Sequence, residues 1–233
     1  MCHIAPHLSL KISRLLLLAA VLVCSPLRAY GQRPQNLHRY KSTDDLPKLH
    51  LNVTGGLNAA GVKRMFLGYD FRDYRLGFQG GVEVGYRCYK LLGVRLGVLY
   101  TQQGTALFNL VDAATYAHLR LDYIEIPLLI SLFGLPGHHL YAGVQWGYLV
   151  KAFLQKAQAT AQEDLKAQGM FKSTCWSIIV GSEYEVLALG LLLGWRVNIG
   201  LSDIAQNNSN ASKAKSIRGT SIYLGYNFAR LLE

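Results

Sequence analysis

The chain is 233 residues long, 51% hydrophobic and only 16% charged, with 24 Lys and Arg against 14 Asp and Glu for a formal charge of +10. Beyond residue 31 no apolar run reaches the 18 or so residues that a membrane-crossing helix requires, which excludes a helical integral membrane protein. Beyond that residue only Cys88 and Cys175 remain, too few for a disulfide framework, and no paired Cys and His spacing marks a zinc site.

At the amino terminus, Lys11 and Arg14 flank LLLLAAVLVC (15–24), an apolar stretch too short to span a bilayer. Ala29 and Gly31 then supply a small-residue cleavage site before Gln32. This order predicts a secretory signal peptide over residues 1–31. A lipoprotein signal built on Cys24 would need a small residue where Val23 stands. Removing Lys11, Arg14 and Arg28 leaves +7 of the +10 on the exported part. Export and the lack of any helix-turn-helix, zinc-finger or RNA-binding signature set nucleic acid aside as a partner. The positive balance points to anionic lipid or lipopolysaccharide instead. Residues 32–48 are polar and unpatterned and are expected to form a flexible periplasmic lead-in, with the folded domain over 49–233.

From residue 49 the hydrophobic period is two. Leu49, Leu51, Val53 and Leu57 alternate with His50, Asn52, Thr54 and Asn58. Leu76, Phe78, Val82, Val84 and Tyr86 oppose Gln79, Glu83 and Arg87. Val94, Leu96, Val98 and Tyr100 oppose Arg95, Gly97 and Thr101. LDYIEIPLLISL follows, then Leu140, Ala142, Val144, Trp146 and Tyr148 against Gln145 and two glycines. Trp176, Ile178, Val180, Tyr184 and Val186 face away from Ser177, Gly181, Glu183 and Glu185. Leu191, Leu193, Trp195, Val197 and Ile199 face away from Gly194, Arg196, Asn198 and Gly200. Last, Ile222, Leu224, Tyr226 and Phe228 alternate with Ser221, Tyr223, Gly225 and Asn227.

These are eight strands of about ten residues, the length that crosses a bilayer at a tilt of about 45°. Short connections (YKLLG, GLPGH, VLALG) alternate with long ones near 61–73, 103–117, 151–172 and 201–217. The pattern predicts an all-β fold, an eight-stranded antiparallel up-and-down transmembrane β-barrel with its aliphatic and aromatic face toward lipid. A soluble lipocalin-type barrel would point its apolar face inward and carry charge outside. Here the face opposite the aliphatics is Gly, Ser, Asn, Gln and a few charges.

The stretch LDYIEIPLLI (121–130) fits this frame. Ile124, Ile126, Leu128 and Ile130 face lipid while Glu125 and Pro127 face the lumen, and the proline is expected at a bulge near the periplasmic end. Leu119, Leu121 and Tyr123 have the opposite parity, so the strand either slips face at a bulge or rises clear of the membrane there.

TQQG (101–104), LDYIEIPLL (121–129), YAGVQWGYLV (141–150), RVNIGLSDI (196–204) and the terminal YLGYNF (223–228) resemble the PorT-like outer-membrane β-barrel family of Bacteroidetes, over about residues 48–228. The resemblance implies an eight-stranded barrel in the outer membrane, of a kind often described as porin-family, whose name-giving member is an accessory of the type IX secretion system. It supplies no catalytic or ligand-binding residues. The chain departs from it by continuing past Phe228 with ARLLE.

The sharpest chemical features are the lumen-facing charges Glu83, Arg87, Arg95, Glu125, Glu183, Glu185 and Arg196. Eight strands leave an interior just wide enough for side chains, so these residues are expected to form a structural salt-bridge network rather than an ion path or a catalytic pair. His138 and His139 fall in a short turn and His118 near the top of the fourth strand, each without a visible partner. No G-x-S-x-G elbow or H-E-x-x-H motif occurs. No catalytic residue, metal ligand or cofactor is expected. The Gly55-Gly56 and Gly80-Gly81 pairs suit close packing rather than phosphate binding. The long loops are basic (Lys63, Arg64, Arg72, Arg75, Lys151, Lys156, Lys166, Lys172, Lys213, Lys215, Arg218) and suit lipopolysaccharide phosphates or an anionic partner. The third long loop is expected to form a short surface helix. The function expected is a non-enzymatic structural or accessory component of an envelope assembly such as type IX secretion, with protein partners in the envelope. The alternative is a small porin-like or gated channel.

Overall fold

A computed structural model describes residues 48–62, 69–109, 116–135, 137–156, 162–164, 171–186, 189–204 and 216–229. The expected signal segment, most of the lead-in and the terminal RLLE lie outside them. The described residues form nine strands: β1 (Leu49–Val62), β2 (Tyr69–Arg87), β3 (Leu92–Asn109), β4 (Tyr116–Leu135), β5 (His138–Lys156), the three-residue β6 (Gln162–Asp164), β7 (Thr174–Val186), β8 (Leu191–Gly200) and β9 (Ile217–Asn227). Every pairing is antiparallel and follows chain order, and β9 pairs back onto β1, which closes eight long strands into an up-and-down barrel. The predicted fold class holds.

The register fixes the barrel's tilt. The pairs run from His50 to Gly85, Arg95, Leu129, Gly143, Ile179, Asn198 and Gly219, and return to β1 at Ala60. That is ten residues along from the start (60 − 50). A stagger of ten over eight strands, at about 3.3 Å per residue and about 4.8 Å between strands, tilts the strands by about 40°.

The burial pattern separates two faces. The outward side chains of every long strand include exposed aliphatics and aromatics, among them Leu76, Val84, Leu96, Ile130, Leu193 and Leu224. The inward ones are buried and mostly polar or glycine. Exposing this much hydrocarbon is unfavourable in water and favourable in an acyl phase. On β4 the apolar band runs from Ile124 to Leu132, about 20 Å along the barrel axis at this tilt. Tyr100 and Tyr148 stand at its upper edge and Tyr86, Tyr184 and Phe228 near its lower edge, all exposed.

The short ends close tightly. Tyr89 and Leu92 exchange backbone hydrogen bonds at 2.9 and 3.3 Å across the β2–β3 turn. Gly137 and Gly190 take φ of 78° and 67° in the next two turns, a conformation that costs other residues energy.

Several expectations need correction. Strands β2 to β5 are 18–20 residues long, not about ten, and take up much of what was expected as loop. They extend beyond the lipid band, where β2, β3, β4 and β5 remain paired side by side. Within the third long loop, Gln162–Asp164 is a strand paired to Phe153–Gln155, not a helix. No register shift occurs at Pro127: Leu96↔Leu128 and Leu99↔Glu125 share one register, and only the pairs between them are missing, as a residue without an N–H requires. The shifts on β4 lie between Asp122 and Tyr123, where β5 carries the extra residue, Val150, and between Phe133 and Leu135, where β4 carries Gly134 near the short turn. Strand β4 keeps its parity, so Leu119, Leu121 and Tyr123 all point inward, fully buried. Outward at that level are His118, Arg120 and Asp122. The strand has risen above the lipid band, and its interior, no longer ringed by hydrocarbon, is apolar.

Candidate functional site: the lumen charge cluster

At mid-barrel the inward side chains converge on the axis. Arg95 of β3 donates to Glu83 of β2 at 3.3 Å, and reaches across the lumen to both carboxylate oxygens of Glu183 on β7, at 3.1 Å each. Arg196 of β8 donates to Glu83 at 2.6 Å, so Glu83 is shared by two guanidinium groups. Tyr223 of β9 donates to Glu183 at 2.9 Å and shares a 2.9 Å hydrogen bond with Tyr141 of β5. The guanidinium of Arg196 lies 5.5 Å from the Tyr141 ring centre and 5.3 Å from that of Tyr223, and Arg95 lies 5.2 Å from the Tyr141 ring. Two arginines and two glutamates make the cluster formally neutral. None of these four is more than 3% exposed. Charges so buried persist only because each is paired and hydrogen-bonded.

Glycine makes the room. Each of these six side chains stands directly across a strand pair from a glycine: Glu83 from Gly97, Arg95 from Gly85, Glu183 from Gly194, Arg196 from Gly181, Tyr141 from Gly181 and Tyr223 from Gly194. A Cβ at Gly97 would lie 2.6 Å from Glu83 Cγ, and one at Gly194 would run into the Tyr223 ring. The glycines of the inner face are therefore spacers for the large residues beside them.

The remaining candidates sit elsewhere in the bore. Glu125 is held by Thr101 Oγ1 and Gln103 Nε2, both at 2.6 Å. Among the described residues no guanidinium closes on it to ion-pair distance, unlike the other two mid-barrel carboxylates. Glu185 accepts from Asn227 Nδ2 at 3.3 Å near the short-turn end. Arg87 lies there too, 6.0 Å from the Phe133 ring centre. The histidines have partners that the sequence did not reveal. His138 and His139 open β5 rather than occupying a turn. His138 Nε2 lies 3.0 Å from Ser182 Oγ. His139 packs on Phe133 and His50, with Nδ1 3.5 Å from Glu183. His118 is exposed on the outer face.

Four participants were missed. Tyr141 and Tyr223 share the inward parity of the charges, and that parity was their available signal. Asp122 faces outward yet is buried under Arg120, bonded at 2.9 Å, and Tyr100, at 2.8 Å. Asn227 ties the closing seam: its side chain accepts from the Leu51 N–H at 3.2 Å and contacts His50 and Glu185, while its own N–H donates to Gly190.

Chemically, the arrangement fills space and cancels charge. A small cavity of about 20 Å³ lies on the loop-bearing side of the cluster, lined by Gln103, Glu125, Cys175, Ser177 and Asn198 among others. It is large enough for about one water molecule. Among the described residues no group of three or more His, Cys, Asp or Glu is placed to hold a metal ion.

The family model for the outer membrane protein beta-barrel domain matches residues 34–206. No curated protein matches the chain. Among solved structures, the chain is similar to Ail, the attachment invasion locus protein of Yersinia pestis (12% identity, 78% of this chain and 100% of that one, TM-score 0.46). It is similar to Neisserial surface protein A (16% identity, 76% and 97%, TM-score 0.47). It is also similar to OprG of Pseudomonas aeruginosa (13% identity, 76% and 92%, TM-score 0.39). The family match covers most of a chain that closes as eight strands with its hydrocarbon outward, and the chain accordingly belongs to the outer membrane protein beta-barrel domain family, as a small barrel of the outer membrane.

Proposed function

We propose that this protein is a non-enzymatic, occluded barrel that serves as an anchor or accessory of a cell-envelope assembly. The type IX secretion machinery is the first candidate, through the PorT-like resemblance of its strand motifs. The observation that carries the reading is the neutral cluster of Arg95, Glu83, Arg196 and Glu183, which crosses the bore from β2 and β3 to β7 and β8. A barrel filled in this way has its two rims and outer wall, rather than its bore, to offer a partner. In this reading Glu83, Arg87, Arg95, Glu125, Glu183, Glu185 and Arg196 act structurally, and no side chain is catalytic. Residues 1–31 are the export signal and 32–48 a periplasmic lead-in available to a partner. The exposed Lys151, Lys172 and Arg218 contact lipopolysaccharide phosphates. The test is affinity isolation from gently solubilised envelopes followed by mass spectrometry. Enrichment of secretion components is expected, and their absence from the isolate refutes the accessory role.

A further inference from the structure

The lumen carboxylates are not treated alike. Glu83 and Glu183 each meet a guanidinium, whereas Glu125, only 2% exposed, is held by Thr101, Gln103 and Gln145. These three partners are neutral; the charge of Arg196 also acts on the carboxylate, but that guanidinium is bonded to Glu83 and does not close on Glu125 to ion-pair distance. Its register partner is Leu99, four residues from Arg95 toward the loops, so Glu125 lies above the charge cluster. There it borders the 20 Å³ cavity. Asn198 lines the same cavity, is 7% exposed, and has no donor for its Oδ1. No lysine or arginine among the described residues lines it.

A carboxylate and an unpartnered amide oxygen beside a cavity of one-particle size form an oxygen donor set with a single formal negative charge. Oxygen ligands select hard cations. One carboxylate balances one positive charge, and the volume leaves no space for the water shell that magnesium keeps. We propose that this cavity binds a single monovalent cation, sodium foremost, with the Glu125 carboxylate and Asn198 Oδ1 among its ligands. The ion supplies the positive charge that arginines supply to the cluster below.

Binding to the folded state alone raises stability with the logarithm of ion concentration. The test is urea unfolding of the full barrel in detergent micelles, followed by tryptophan fluorescence, in sodium chloride and in choline chloride at equal ionic strength. Choline is too large for the cavity and serves as the reference. The midpoint is expected to be higher in sodium and to climb with its concentration. Glu125→Gln and Asn198→Leu, each compared with itself in choline, should lose the sodium-specific rise, and Asn198→Asp should enlarge it. Equal midpoints in the two salts for the unsubstituted barrel overturn the proposal, because Glu125 is then neutralised by a proton instead. An undiminished sodium effect in Glu125→Gln overturns it as well. If that variant does not fold, Asn198→Leu decides in the same way.

Discussion

Glu83 accepts from two guanidinium groups and is fully buried, away from bulk solvent. Glu83→Gln keeps the shape but removes the negative charge, which leaves Arg196 without its carboxylate and the cluster with a net charge of +1. Breaking one partner of a buried pair costs about 3–5 kcal/mol. The urea midpoint of the variant, refolded into bilayers, should fall by that equivalent. Replacing both partners, Glu83→Leu with Arg196→Met, leaves the bidentate Arg95–Glu183 pair intact and removes the orphaned charge. That double variant should be more stable than Glu83→Gln alone. If it is less stable, the pair is not the energetic unit. The residue types of this cluster were legible in the sequence, because a period of two assigns each charge to one face. Its partnerships were not. Arg196 meets a carboxylate 113 positions away, and that distance depends on the stagger of the closed barrel, which no local pattern encodes. The glycine across from each of the six cluster side chains was likewise hidden, because that pairing shows only once the register is known.

At the scale of the strand, β4 shows what periodicity can and cannot decide. Its alternation marked Ile124 to Ile130 as one face and Glu125 with Pro127 as the other, as found. The apolar Leu119, Leu121 and Tyr123 left two outcomes open, because alternation reports which residues share a face and not what lies outside that face. The choice was made by height: the outward His118, Arg120 and Asp122 stand above the lipid band, so apolar residues turn inward there as in a soluble protein. The same ignorance of height made β2 to β5 read as strands of ten residues flanked by loops. A charge probe measures where the band ends. Leu128, half-exposed at mid-band, should cost about 2–4 kcal/mol when changed to Arg, while His118→Arg should cost about 0–1 kcal/mol, both read from unfolding titrations in lipid vesicles. Equal costs at the two positions would place both in the same medium and erase the distinction between the tall strands and the band.

The whole barrel joins an apolar exterior to a bore closed from six strands, and the closure rests on side chains, not on backbone. Eight strands with a stagger of ten enclose a space that side chains can fill or leave open, depending on their size. Here Arg95, Arg196, Tyr141 and Tyr223 cross that space, and the cavity above them holds about 20 Å³. The intact protein in a planar bilayer should therefore give no steady current step. Arg196→Ala with Tyr223→Ala removes two of the four crossing side chains and exposes Glu83, Glu183 and Glu125 to the cleared path with Arg95 as their only cluster cation. That variant should conduct, weakly, and prefer cations over anions, since the carboxylates left behind outnumber the guanidinium. Its folding can be verified separately by the mobility shift that boiled and unboiled barrels show on gels. A folded variant that passes nothing would assign the closure to other residues, and a steady current through the unsubstituted protein would replace the anchor reading with that of a narrow pore.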